Sequence, residues 1–160
     1  MVKTYSSYKN NTNFEPDYIW GREQEELIYP YLNHSFGGDL VHSQDRNSKF
    51  DMWNDRRNIE IKSRRCKRNT YRDAEITLDK CLELDGKSTY HIMNWQDEIG
   101  YIKYDANLYN TFRRVDKARN GDPNAVKTHI YIPVELFKTI YKGHRPDECK
   151  CLINLKDLGL

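Results

Sequence analysis

What this chain lacks narrows the field before any motif is read. Its longest apolar runs are a handful of residues, far short of the roughly 20 that a membrane-spanning helix needs. The stretch Met1–Asn11 contains no apolar core, so no secretory leader is expected. There is no glycine-rich phosphate loop and no Gly-x-Ser-x-Gly elbow, which argues against an NTPase or a serine hydrolase. His34, His42, His91, His129 and His144 are scattered without ligand spacing. Cys66 and Cys81 have no close cysteine partner, so a structural zinc site is not expected. Cys149 and Cys151 alternate with Leu152–Leu155 and read as a late strand with a buried thiol. No internal repeat, zinc finger or helix-turn-helix pattern is visible. Four cysteines without a leader predict free thiols in a reducing compartment, cytoplasmic or otherwise intracellular.

What is present is one domain's worth of chain. At 160 residues the sequence can bury a core but is too short for two domains. Charged residues make up 31%, yet aromatics reach 12%, twelve of them tyrosine, and a disordered chain would have few. Net charge is only +2, so the balance says nothing about nucleic acid, whereas the distribution does. Eight basic residues and a single acid, Glu60, lie between Arg56 and Arg72. A second basic cluster is Arg113, Arg114, Lys117 and Arg119. Such local fields suit a polyanion, and equally a solvated face.

Residues 1–16 read as a polar arm and 17–160 as a single domain. Trp20, Gln24, Leu27, Ile28, Tyr31 and Leu32 recur at helical spacing, with Asp17 as N-cap. Pro30 is expected to kink or end that helix and Gly37-Gly38 to close the segment. Lys49–Trp53 and Asn58–Lys62 form a hairpin-like pair of extended runs. A helix over Ala74–Leu84 should stop at Asp85-Gly86-Lys87. Strands follow at Tyr90–Trp95, Ile99–Tyr104 and His129–Pro133, then a short helix over Val134–Tyr141. The order helix, strand hairpin, helix, strands, helix predicts an α/β domain with a mixed β-sheet flanked by helices.

The informative feature is Asp51 followed nine residues later by Glu60-Ile61-Lys62. A two-residue turn at Asp55-Arg56 sets Asp51 directly opposite Glu60, with Cβ atoms about 4.5–5.5 Å apart; a longer loop would shift the register. Two carboxylates so placed call for a cation between them. Mg²⁺ held by one or two carboxylates, waters and phosphate oxygens fits, and Mn²⁺ could substitute. Lys62 shares the face of Glu60 and can reach a bound water or a phosphate. These are the parts of phosphodiester hydrolysis: a metal, and a cation that positions the nucleophile. Asp85-Gly86-Lys87 and Glu148-Cys149-Lys150 repeat the acid-x-Lys pattern without paired strands to hold it. The bland alternative is an ordinary hairpin with a wet charged face.

Asp51 with Glu60-Ile61-Lys62, preceded by a glutamate-bearing helix, resembles the PD-(D/E)XK nuclease superfamily, the small single-domain type of phages and large DNA viruses. Gly21–Glu26 with Pro30, then Asp51, then Glu60–Arg64 with Tyr71, Ile76 and Lys80 carry the resemblance over roughly residues 18–105; Phe50 stands where the family has its proline. The resemblance implies a restriction-endonuclease-like core, with Asp51, Glu60 and the Ile61 carbonyl as metal ligands. It implies Lys62 assisting the attacking water and a helix glutamate near the metal. Glu23, about 60–80° from the centre of the apolar stripe, is the choice for that glutamate; a macrodipole acid is its alternative. Arg64, Arg65, Lys67, Arg68 and Tyr71 would lie beside the scissile phosphate, or form a solvated loop, and Lys80 would face the cleft or the solvent. The expectation is a Mg²⁺-dependent DNA nuclease, endo- or exonucleolytic, with a structure-selective endonuclease such as a junction resolvase or nicking enzyme favoured over a homing or restriction type. Duplex cleavage by so small a chain would use a homodimer. A nuclear or viral-factory location would follow from a eukaryotic virus. The rivals are a non-catalytic DNA-binding protein on the same fold and an interaction protein using its tyrosines.

Overall fold

The computed structural model describes residues 14–119 and 122–143. The first element, α1 (Phe14–Ser35), is longer than its predicted start allows, so Asp17 lies inside the helix rather than capping it. Residues 1–13 of the predicted arm lie outside the described residues. Pro30 sits within α1 without ending it, because a single proline removes only one ladder bond. The expected glycine stop holds. The Gly38 amide donates to the Asn33 carbonyl at 2.7 Å and Gly37 takes a positive φ of 112°, the geometry of a Schellman motif.

Nine strands follow among the described residues. They are β1 (Val41–His42), β2 (Met52–Trp53), β3 (Arg57–Ser63), β4 (Asp73–Thr77), β5 (Ser88–Asn94), β6 (Glu98–Lys103), β7 (Arg113–Arg119), β8 (Asp122–Pro133) and β9 (Lys138–Lys142). A four-residue helix, α2 (Ala106–Tyr109), precedes β7. One sheet has the order β1-β2-β3-β5-β6-β9 and the other β4-β8-β7. Among the described residues only the β3–β5 pairing is parallel, the rest being antiparallel, so the sheet is mixed as expected.

Alternation along β3 and β5 divides the core in two. Ile59, Ile61, Tyr90 and Ile92 pack with Ile28, Tyr31, Leu32 and Phe36 of α1. Met93 and Trp95, on the other face, pack with Ala74, Ile76, Ile130 and Ile132 of the smaller sheet. Side chains two apart share a face of a strand, so the result is three layers: helix, six-stranded sheet, three-stranded sheet. No helix among the described residues is long and apolar enough to cross a membrane.

Two expected helices are overturned. Ala74–Leu84 contains β4 and a single 3₁₀ turn at Leu78–Lys80. Ala74 and Ile76 alternate inward at period two, and β4 pairs with β8, from Asp73↔Pro133 to Thr77↔His129. That long-range ladder overrides the local spacing of leucines. Val134–Tyr141 is likewise a 3₁₀ turn, Val134–Leu136, followed by edge strand β9. Asp85-Gly86 forms a two-residue turn with both φ values positive, 58° and 69°, closed by the Lys87 amide on Leu84 O at 3.1 Å. This is the primed turn of a tight hairpin, not the end of a helix. The late strand expected at Cys149–Leu155 lies outside the described residues.

Candidate active site

The hairpin β2–β3 sets the geometry. Its register pairs Met52 with Ile59 and Trp53 with Asn58, as the two-residue turn predicts. Asn54 N–H donates to Arg57 O at 3.0 Å, and Asn54 Oδ1 accepts from the amides of Arg56 and Arg57 at 3.0 and 2.8 Å. An asparagine that bonds its own turn amides fixes the turn. One residue before β2, Asp51 N–H reaches Ile59 O at 3.0 Å while its Oδ2 accepts from Ile61 N–H at 2.7 Å. The Asp51 carboxylate therefore stands in the ladder position that β2 vacates, beside Glu60. The N–H and C=O of one strand residue point to the same side, so the Ile61 carbonyl also faces this open edge.

Glu60 is buried, at 4% exposure. Its Oε1 is 3.8 Å from Lys62 Nζ and its Oε2 is 3.2 Å from Lys80 Nζ. Oε2 is ion-paired with that ammonium without meeting hydrogen-bond geometry. Burial pushes the Glu60 carboxyl up to about 7, helped by the neighbouring charge of Asp51 and opposed by the two lysines. Burial also raises Asp51, against the Ile61 amide, Lys62 and Lys80.

The helix glutamate that approaches this pair is Glu25. Glu23 is exposed, whereas Glu25 is 9% exposed, and its carboxyl rises to about 7 through burial and the charge of Asp51. The reason lies in helix phase. Leu27, counted into the apolar stripe, is 62% exposed, and the face that is buried carries Ile28, Tyr31 and Leu32. Glu25 lies three residues before Ile28 and seven before Leu32, on that face. Its Oε2 is 2.9 Å from Arg22 Nη1 and 2.8 Å from His42 Nε2. Burial, then Arg22, lowers the His42 pKa. Arg22 also donates to Ser43 O and Gln44 Oε1, tying α1 to the segment after β1.

His42 carries no motif signal; Arg22 and Glu25 lie within the Gly21–Glu26 stretch, where the buried-face position of Glu25 could have singled it out over Glu23. Lys80 was expected on a helix facing cleft or solvent. It closes the 3₁₀ turn after β4 and reaches into the site, also donating to Lys49 O. Behind it, buried His91 has Nε2 2.9 Å from Lys80 O and Nδ1 2.7 Å from the Tyr109 hydroxyl.

The downstream basic residues divide. Arg68 is a structural residue: it pairs with Glu98, donates to Val134 O at 2.9 Å and Phe137 O at 2.6 Å, and lies over Trp95. A guanidinium spent on these partners is not free to contact phosphate. Arg64 donates to Glu75 O at 3.2 Å, and Arg65 lies 4.0 Å over the Trp20 ring and 3.3 Å from Asp17. Lys67 is exposed, as is Tyr71 at 69%.

Three carboxylates and three cations thus meet at one sheet edge. Burial raises all three carboxyls and so holds back their ionisation, while three cations face the same space, a balance that suits an incoming phosphate. Among the described residues no three His, Cys, Asp or Glu side chains form a ready-made metal cage. A Mg²⁺ site needs fewer protein donors, one or two carboxylates with waters and phosphate completing it. Hard oxygens from Asp51, Glu60 and Ile61, one of them a buried carboxylate oxygen without a hydrogen bond, fit that requirement. Compared with protein-family models, with curated proteins and with solved structures, the chain finds no match.

Proposed function

We propose that this chain is a metal-dependent nuclease of the PD-(D/E)XK kind that hydrolyses phosphodiester bonds in DNA. The observation that carries the reading is the edge where Asp51 faces Glu60, with Lys62 on the same side and a buried Glu60 oxygen left without a hydrogen bond. A restriction-endonuclease-like core belongs to the same proposal, built of α1, the β2–β3 hairpin, β5 parallel to β3, and antiparallel β6.

In this reading Asp51, Glu60 and the Ile61 carbonyl hold Mg²⁺, which supplies Lewis acidity at the phosphate and a nucleophile near neutral pH. The Ile61 amide fixes one Asp51 oxygen, leaving the other to coordinate. Lys62 Nζ, 3.8 Å from Glu60 Oε1, donates a hydrogen bond to the attacking water and holds it in line with the phosphorus. Lys80 offsets charge that grows on the phosphoryl oxygens. Glu25, between Arg22 and His42, keeps a raised proton affinity beside Asp51 and takes the place expected of Glu23. Lys67 and Tyr71 contact the flanking backbone, which positions the strand without reading its sequence. Structure-selective cleavage is favoured over sequence-specific cleavage, and a homodimer would put one such edge on each strand of a duplex.

The test is cleavage of labelled single-stranded, linear duplex, nicked and four-way-junction DNA with Mg²⁺, Mn²⁺ or EDTA, beside Lys62→Ala. Metal-dependent cleavage that disappears in the variant supports the reading, and the preferred substrate names the subclass. Binding without cleavage under every metal leaves a DNA-binding scaffold instead.

A further inference from the structure

A second feature follows the carboxylate edge along β3 and shares only Lys67 with the roles given above. Beyond the C-terminal ends of the parallel pair β3 and β5 opens a cleft of about 810 Å³, lined by Trp20 and Gln24 of α1, Arg64, Arg65 and Lys67 after β3, and Asn94 at the end of β5. The ends of parallel strands are where α/β sheets place their ligands, and the volume suits a nucleotide-sized group.

Two observations say what kind of group. First, Asn94 is only 2% exposed. Its Nδ2 donates to Ser63 Oγ at 2.9 Å, while its Oδ1 has no hydrogen-bond partner. The Ser63 hydroxyl can donate or accept, so turning the amide over leaves the other polar atom bare. Either way the wall behind the cleft holds an amide atom without a hydrogen bond and closed to solvent, which makes that wall polar rather than apolar. Second, the Arg65 guanidinium lies 4.0 Å over the half-buried Trp20 ring, and the Arg65 side chain stays 55% exposed. An indole backed by a guanidinium plane is a stacking platform for an unpaired base. Lys67 and Arg64 supply charge for the adjoining phosphates. The one acid of the lining, Asp97, is engaged by the Arg68 amide at 2.9 Å.

We infer that this cleft binds an unpaired base of a DNA strand, stacked on the Trp20–Arg65 platform. Arg64 follows Lys62 by two residues, about 6.6 Å along the strand, so the base belongs to a nucleotide flanking the scissile phosphate. The inference deepens the nuclease reading: the substrate is DNA with an unpaired nucleotide at the cut, as in a flap, gap or branch, rather than a continuous duplex.

Binding in EDTA tests this without requiring turnover. Anisotropy of short labelled oligo(dT) is compared with an abasic oligonucleotide of equal length, which keeps every phosphate, and with blunt duplex as competitor. The expected result is at least about tenfold tighter binding of oligo(dT) than of the abasic strand, the scale of one stacked base. Trp20→Leu should remove that preference while abasic binding persists, and Arg65→Ala should weaken both. Equal affinity for oligo(dT) and the abasic strand, duplex competing as well as single strand, or an intact preference in Trp20→Leu would each overturn it. Preference retained in a protein that never cleaves sinks the nuclease reading and leaves the cleft assignment standing.

Discussion

Two buried clusters of opposite charges can be set side by side. In the first, Arg68 gives its guanidinium to Glu98, Val134 O, Phe137 O and Thr139, and Thr139 Oγ1 donates to Glu98 at 2.9 Å. In the second, Glu25, Asp51 and Glu60 face Arg22, Lys62 and Lys80 with equal formal charge, yet burial raises all three carboxyls and Glu60 Oε2 goes unbonded. The first closes on itself and fastens the segment after β3 to β6 and β9. The second is left in deficit. A folded chain carries such a deficit where something outside it is to complete the site.

The comparison breaks first on turnover. Lys62→Ala should lower metal-dependent cleavage by about 10²–10⁴, the range for a group acting on a proton in the transition state, as read from initial rates on the preferred DNA. Arg68→Ala should instead cost about 3 kcal/mol of stability, because Glu98 is left buried and unpaired; urea denaturation measures it. If Arg68→Ala proved harmless to folding, the two clusters would not differ as described.

A smaller effect has the opposite sign. The Glu60 carboxyl titrates near 4.5 in the unfolded chain and near 7 in the folded one. The folded state then binds more protons between those values, and ionised Glu60 opposes folding above them. Glu60→Gln should raise the metal-free Tm by a few degrees at about pH 8, or about 1–2 kcal/mol. The gain should fade as pH falls through 7 and vanish near 4.5. Adding Mg²⁺ at about pH 8 should reverse the order, stabilising the wild type alone, in the same thermal melts. The smallest effect separates two glutamates two residues apart. Glu23→Gln should leave rate and Tm within error, whereas Glu25→Gln should repeat the pH-dependent gain in Tm.

Legibility followed the range of the interactions. The β2–β3 register could be read because Asn54–Arg57 closes a turn with its own amides, so the facing of Asp51 and Glu60 needed nothing distant. The glycine stop after α1 was equally local. β4 was misread because Ile76, Leu78, Leu82 and Leu84 suit a helix until β8 arrives from more than fifty residues away. Arg68 resembled a phosphate contact because its partners, Glu98, Val134, Phe137 and Thr139, lie 30 to 71 residues downstream. Glu23 displaced Glu25 because exposed Leu27 was counted as core.

The smaller sheet also sets an order in time. Lys80 is delivered to Glu60 from the end of β4, and among the described strands β4 is held by β8 alone. Pairing Asp73–Thr77 with His129–Pro133 means closing a long loop, and contacts of such separation form late. A refolding chain therefore aligns Asp51 and Glu60 early, through their hairpin, and acquires the second ammonium beside them only when nearly all of the described chain has condensed.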